Sequence, residues 1–279
     1  MQSSNDDPLN SLRAAIDTLS DARLAAEDSL ENRPGLVDAL EALADLQRQE
    51  GDFDKAESSY REAIETAILS AAPLAQLARL RSSLATLYDF NQLEEQAIPL
   101  YEQAIEDYEK SEPPNPAEAA QLRNNLAWIY KQIKRNPLAE QHYLMALETL
   151  ERIHGRNDER VAAVFNNLGS LYHTAGYPEQ AKEMHLEAME IRMKVFGGDH
   201  PEVAQSHSNL AVACYDLEDI EGMKDNYEKS LDILESHLAE HAQSYQDNAA
   251  DYIAVLESLD ETRQAQAVQK RVDKALKRA

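Results

Sequence analysis

Cysteine is almost missing from this chain, and glycine, tryptophan and cationic charge are scarce. Cys214 is the single cysteine of 279 residues, which excludes an intrachain disulfide and a cysteine-based zinc site. Eight glycines are about half the usual share of roughly 7%. That leaves little material for glycine-rich phosphate loops or a turn-rich β fold. No stretch approaches the roughly eighteen apolar residues of a membrane span. Against 51 Asp and Glu stand 27 Lys and Arg, a formal charge of −24 and a pI near 4.6. Phosphate backbones need a basic face, so nucleic acid is not expected as a partner. The start, MQSSNDDP, has neither a basic region nor an apolar core, so no secretory signal is expected there. Together with the lone cysteine it points to a cytoplasmic location. What is present is 43% apolar and 28% charged residues, the balance of a folded chain.

The apolar residues repeat. A small residue following an apolar one recurs at Ala44, Ala85, Ala127, Gly169, Ala211 and Ile253, at spacings of 41 and then 42 residues. Twelve residues further on stand Ala56, Ala97, Ala139, Ala181, Met223 and Ala265, and seven beyond those Ala63, Ala104, Ala146, Ala188, Ser230 and Val272. Between the last two columns lies a mostly aromatic one: Tyr60, Tyr101, Tyr143, His185, Tyr227 and Gln269. The sixth copy is the most divergent, as a terminal capping unit should be.

Each copy reads as two helices, A and B. In the fourth, Val161, Val164, Phe165, Leu168, Leu171 and Tyr172 recur at three and four residues, the amphipathic period. Gly176-Tyr177-Pro178 breaks that helix, and Gly197 ends the next. Asp199-His200-Pro201 then supplies a cap followed by proline, a device repeated at Asn115-Pro116 and Asp7-Pro8. Short side chains let paired helices approach closely, and tyrosine is expected to fill the wider gap between neighbouring pairs. The expected fold is all-α, a right-handed superhelical solenoid of antiparallel helix pairs. Its expected parts are an N-terminal capping helix over 1–33 and repeats over 34–73, 74–116, 117–158, 159–200 and 201–242. A sixth repeat with a basic C-terminal capping helix follows over 243–279.

These columns resemble the tetratricopeptide pattern W-x2-L-G-x2-Y, A-x3-F and a second A. It stands here as Phe165, Leu168, Gly169, Tyr172, Ala181, His185 and Ala188 in copy four, and as Leu126, Ala127, Tyr130, Ala139, Tyr143 and Ala146 in copy three. The 42-residue form is similar to the kinesin light chains. The segments that carry this likeness are NNLAWIY (124–130), NNLGSLY (166–172), SNLAVACY (208–215), VFGGDHPEVA (195–204) and IHGRNDERVA (153–162). The family includes short bacterial kinesin light chains that accompany bacterial tubulin. The resemblance implies a non-enzymatic protein–protein interaction scaffold without cofactor or metal. Its partner would be an extended peptide or surface loop, with a bacterial tubulin filament as one such partner.

In such a fold the first helices line a concave groove. Two residues before the packing position stand Asn125, Asn167 and Asn209. Asparagine offers both a donor and an acceptor to a peptide backbone, and the resemblance gives these three a peptide-contacting role. The other reading is that each bonds to a neighbouring helix. Asn124, Asn166, Trp128, Lys131 and His173 are further groove candidates, with Trp128 as an apolar anchor. Few groove cations accompany Asp89, Asp216, Asp251 and Glu257, so a neutral or basic partner surface fits best.

The last ten residues run against the overall charge. Five cations (Lys270, Arg271, Lys274, Lys277 and Arg278) and one carboxylate, Asp273, give them +4 and leave −28 for the remainder. This helix is the alternative functional element, an adaptor that tethers a partner to a membrane or filament. Its plainer reading is a solubilising cap. Membrane contact is expected through this helix alone. One string, His237-Leu238-Ala239-Glu240-His241, matches the H-x-x-E-H zinc-protease pattern. It falls in the linker after copy five with no third ligand in view, and is read as coincidence.

Overall fold

A computed structural model describes residues 33–277. The N-terminal capping helix expected before residue 33, Arg278 and the Asp7-Pro8 cap lie outside the described residues. Twelve α-helices and no strand occur among the described residues. They are α1 (Arg33–Glu50), α2 (Phe53–Leu69), α3 (Leu74–Phe90), α4 (Glu94–Lys110), α5 (Pro116–Gln132), α6 (Asn136–His154), α7 (Glu159–Ala175), α8 (Pro178–Phe196), α9 (Pro201–Asp216), α10 (Ile220–Ser236), α11 (Leu238–Ser258) and α12 (Thr262–Leu276).

The chain divides into two compact units at Arg135/Asn136, inside the 117–158 segment expected as the third repeat. In unit 1, α1 pairs with α2, α3 with α4, and α5 packs on α4. In unit 2, α6 packs on α7, and α7/α8, α9/α10 and α11/α12 form pairs that stack in chain order. Turns of a few residues make each pair antiparallel.

The small-residue columns carry this packing. Ala44, Ala56 and Ala63 in the first pair, and Ala85, Ala97 and Ala104 in the second, have no exposed surface. The same holds for Ala181, Ala188 and Ala211 in unit 2. Gly169 is a close approach: a Cβ placed there would stand 2.6 Å from Cε1 of buried His185. In the sixth copy the aromatic column fails, because Gln269 is exposed and Val268 beside it is buried, while Ala265 and Val272 keep their columns.

Two tyrosines of the aromatic column find a hydroxyl partner on the other helix of their own pair. Tyr60 turns its hydroxyl to Asp45 at 2.5 Å, and the hydroxyls of Tyr101 and Thr86 lie 2.9 Å apart. Asp45 and Thr86 each sit one residue past the packing alanine of the same pair. A buried phenol needs a polar partner, and the facing helix offers the nearest one. Tyr227 does face the next pair, stacking on Tyr252 with ring centroids 4.9 Å apart.

Every A–B turn contains one residue with positive φ: Gly51, Gln92, Lys134, Gly176, Glu218 and Asp260. Gly176 and Gly197 end their helices with φ of 82° and 86°. At the start of α9 the expected cap is His200: its Nδ1 accepts from the Glu202 amide at 3.2 Å, while the Asp199 side chain is 80% exposed.

Neighbouring pairs are stitched by polar contacts that change chemistry along the chain. The hydroxyls of Tyr88, Tyr130 and Tyr172 donate to Glu57, Glu102 and Glu140 at 2.6, 3.0 and 2.6 Å. In the next copy the tyrosine position is Cys214. Here the link is Lys182 to Asp219 at 3.2 Å, followed in the last copy by Lys224 to Glu261 at 2.7 Å. Burial pushes the Cys214 thiol pKa up, so this cysteine is a packing residue rather than an activated nucleophile.

Candidate functional site

The candidate surface is the exposed face of the A helices, taken in each unit by itself. In unit 1 it is carried by α5. Asn125 stands exposed, with Asn124 half-buried beside it, and Asn124 Nδ2 lies 3.5 Å from Asn125 Oδ1. Asn125 lies near the hydroxyl of Tyr101 on α4, whose pKa burial pushes up to about 12. Trp128 keeps 39% of its surface exposed, unusual for the most apolar-rich side chain of the face. Lys131 is half-buried, and burial pulls its ammonium below the ordinary lysine value.

In unit 2 the face is carried by α7, α9 and α11. Asn166, Asn167 and Asn209 are half-buried. Asn209 Nδ2 donates to Asn166 Oδ1 at 2.6 Å, and Asn209 Oδ1 accepts from Gln205 at 3.1 Å. His173 is exposed, with its Nδ1 2.6 Å from Asp216 Oδ2. The hydroxyls of Tyr215 and Ser258 lie 3.2 Å apart. Each of these cross-helix pairs joins residues 43 apart, so a polar ladder runs from one A helix to the next. Unit 1 has its own rungs 38 residues apart: Gln76 to Asp38 at 3.1 Å, and Arg79 to Glu41 at 2.7 and 2.6 Å.

The sequence left two readings of the asparagine row open. Asn125 and Asn209 engage neighbouring helices, and their amides retain further donor and acceptor capacity for a bound backbone. Around the row in unit 2, Asp216, Asp247, Asp251 and Glu257 are all exposed. The face is therefore polar and acidic, with stacked amides at its centre.

A tetratricopeptide-repeat family model matches residues 118–194 and 160–236, and a second matches 39–69. The crystal structure of BtubC (BKLC) from P. vanneervenii is 31% identical, with a TM-score of 0.72, covering 85% of this chain and 94% of that one. The chain belongs to the tetratricopeptide-repeat family. Its 42-residue repeats are of the kinesin light chain type. The kinesin light chain TPR-like repeats of Podosopora anserina share the fold at 16% identity, with a TM-score of 0.62 over 73% of this chain and 97% of theirs. The apo form of RapI shares it at 12% identity, with a TM-score of 0.64 over 86% and 97%. No curated protein matches the chain. The tetratricopeptide fold is in general a scaffold for protein–protein interaction.

This tetratricopeptide chain differs from expectation at its basic helix. Lys270, Lys274 and Lys277 are exposed on α12 and the residue that follows it, but Arg271 is not a free surface cation. It bonds Glu235, Glu228 and Asp232 at 2.7, 2.9 and 2.6 Å, because its side of the helix rests on the acidic face of α10. The His237/His241 string also loses its premise. His241 has non-helical φ and ψ of −122° and 25° at a kink, and His237 Nε2 lies 2.8 Å from the Asp199 carbonyl oxygen. Among the described residues no group of three His, Cys, Asp or Glu is placed to hold a metal ion, and no helix is long and apolar enough to cross a membrane.

The residues that sequence reasoning passed over are the ladder and Arg192. Arg192 is buried, pairing with Glu159 at 3.2 Å and Glu202 at 3.0 Å. A constant offset between oppositely charged or amide-bearing columns, such as Glu41 and Arg79, is the signal that would have revealed the ladder.

Proposed function

We propose that the chain is a non-enzymatic scaffold that holds a protein partner on its A-helix faces, and that this partner is a bacterial tubulin filament. The observation that carries the proposal is the 31% identity to BtubC (BKLC) over 94% of that chain. It is joined by the likeness of the repeats to the short bacterial kinesin light chains. The chemistry of the face agrees with such a role. Amides at Asn125, Asn167 and Asn209 suit a peptide backbone, Trp128 offers an apolar anchor, and the acidic surround favours a neutral or basic segment. Asn124, Asn166, Lys131 and His173 complete the proposed contact set, and the six repeats from residue 34 onward are its proposed organisation.

The test is co-sedimentation with bacterial tubulin filaments. The chain is expected to pellet saturably. The triple variant Asn125→Ala, Asn167→Ala, Asn209→Ala is expected to bind about tenfold more weakly, a loss of roughly 1.4 kcal/mol, with its helical circular dichroism retained. Unchanged pelleting of the variant would remove the asparagine row from the contact. No pelleting of the intact chain would remove the filament as the partner.

A further inference from the structure

The last described helix carries a second interaction surface of opposite charge. Arg263, Lys270, Lys274 and Lys277 lie at i, i+7, i+11 and i+14 along α12 and its C-terminal end, and all are exposed. At 100° per residue these positions stay within about 60° of one another, so they form one stripe. It spans about 21 Å along the helix axis at a rise of about 1.5 Å per residue.

Three features set this stripe apart from a solvated charged face. Cations elsewhere in the described chain are mostly matched by carboxylates: Lys55 by Asp52, Arg61 by Glu57, Arg79 by Glu41, Lys182 by Asp219 and Lys224 by Glu261. None of the four stripe cations has an ion pair or hydrogen bond among the described residues. Cations left unpaired in a chain with a formal charge of −24 run against its own electrostatics.

The second feature is how α12 is fixed. Arg271, one residue from Lys270, is held by Glu228, Asp232 and Glu235 of α10. Ala265, Val268, Val272 and Ala275 are buried in the core shared with α11. The helix is thus anchored by one polar side and one apolar side, and the stripe is the side left over. Third, the buried apolar side decides between two kinds of anionic target. An interfacial membrane helix binds by sinking its apolar face into the lipid. Here that face is occupied, so the stripe offers charge alone.

We infer that the Arg263–Lys277 stripe is a docking surface for an acidic protein segment, one that presents carboxylates over about 21 Å of its length. The site is electrostatic and exposed. Its contacts are individually weak and screened at a Debye length of about 8 Å in physiological salt. Such a site adds on-rate and orientation to a complex anchored elsewhere. It does not rest on the tubulin reading, because its evidence lies on a different helix face and concerns partner charge alone.

The experiment titrates the full chain with a fluorescent decaglutamate peptide, at about 0.02 M and about 0.15 M salt. The comparison is with the variant Arg263→Gln, Lys270→Gln, Lys274→Gln, Lys277→Gln. Glutamine keeps helix propensity close to that of arginine and lysine. The control, Lys134→Gln, Arg135→Gln, Arg152→Gln, removes cations from other helices and turns. The expected result is salt-sensitive binding by the intact chain and the control. The stripe variant should bind roughly tenfold or more weakly, because four exposed cations no longer attract the peptide. Equal loss in the control, or no loss in the stripe variant, overturns the site. Two parallel assays address other occupants. Stripe-dependent pelleting with phosphatidylserine/phosphatidylcholine vesicles, without decaglutamate binding, would reassign the stripe to a membrane. Stripe-dependent self-association in sedimentation velocity would reassign it to a second copy of this chain. Either result overturns the proposal.

Discussion

Gly169→Ala is expected to destabilise the chain by about 2–3 kcal/mol, the upper range for forcing extra atoms into a packed core. The Cβ would meet three atoms of the His185 ring at 2.6–2.8 Å. That residue is 4% exposed, and Ala181 and Ala188 on either side of it have no exposed surface, so the ring has no space into which to retreat. The other copies show how the position can be relieved. Wherever helix A has alanine at this register, in copies one, two, three and five, helix B has tyrosine. Glycine and histidine occur together once. The double variant Gly169→Ala, His185→Tyr restores the common pairing and is expected to lose less than about 1 kcal/mol, so the two sites couple by more than about 1 kcal/mol in a double-mutant cycle. Urea unfolding of the four proteins measures this. Additive losses would show that the ring and the glycine are independent.

The second large effect concerns Arg192. Arg192→Ala is expected to cost about 2 kcal/mol at neutral pH, below the range for a fully buried ion pair that loses one partner, because Glu159 and Glu202 keep 34% and 46% of their side-chain surface exposed. The guanidinium side chain is 7% exposed and lies between Glu159 and Glu202. It also donates to Ser206 Oγ at 3.1 Å and to the Glu202 carbonyl at 3.3 Å. Three helices meet there, since Glu159 opens α7, Arg192 is on α8 and both Glu202 and Ser206 are on α9. Burial already pushes the Glu159 carboxyl above its ordinary value, and Arg192 pulls it back. Without the cation the shift grows. A carboxyl whose pKa is higher in the folded state binds its proton more readily when folded, so folded stability falls as pH rises through that pKa. The defect should therefore be smaller near the carboxylate range, at about pH 5, than at about pH 8. Urea midpoints across that range check it, and a pH-independent defect would show that packing rather than charge is lost.

These two sites also mark how far the fold can be read from residues. The 42-residue columns locate the helices because burial in a stacked pair leaves a period in side-chain size: Ala85, Ala97 and Ala104 need no structure to be recognised. Gly176 and Gly197 are readable ends because glycine favours positive φ. Gln92, Lys134 and Glu218 adopt positive φ as well, and nothing in their chemistry announces it. The turn geometry is imposed by the helix pair, which holds these residues in a conformation costing about 1–2 kcal/mol outside glycine.

The candidate face was legible as positions and not as contacts. Asn125 and Asn209 stand in register by period alone, but the approach of Asn125 to Tyr101 and the bond of Asn209 to Asn166 depend on how far one helix is shifted past the next. Arg271 shows the same limit. In sequence it is one cation among five, and its three carboxylates lie 36–43 residues away on another helix. The exchange of tyrosine–glutamate stitches for Lys182–Asp219 and Lys224–Glu261 is visible only once the pairs are placed, although Cys214 in a tyrosine column signals that a contact has been replaced.

Site-specific photo-crosslinking tests the central claim most directly. One photoreactive side chain replaces Val212, half-buried on the A-helix face of α9, and in a separate protein another replaces Leu186, 39% exposed on α8. With bacterial tubulin filaments present, crosslinks to tubulin are expected from position 212 and not from position 186. Crosslinks from 186 alone would place the partner on the B-helix face and contradict the proposed mode of binding.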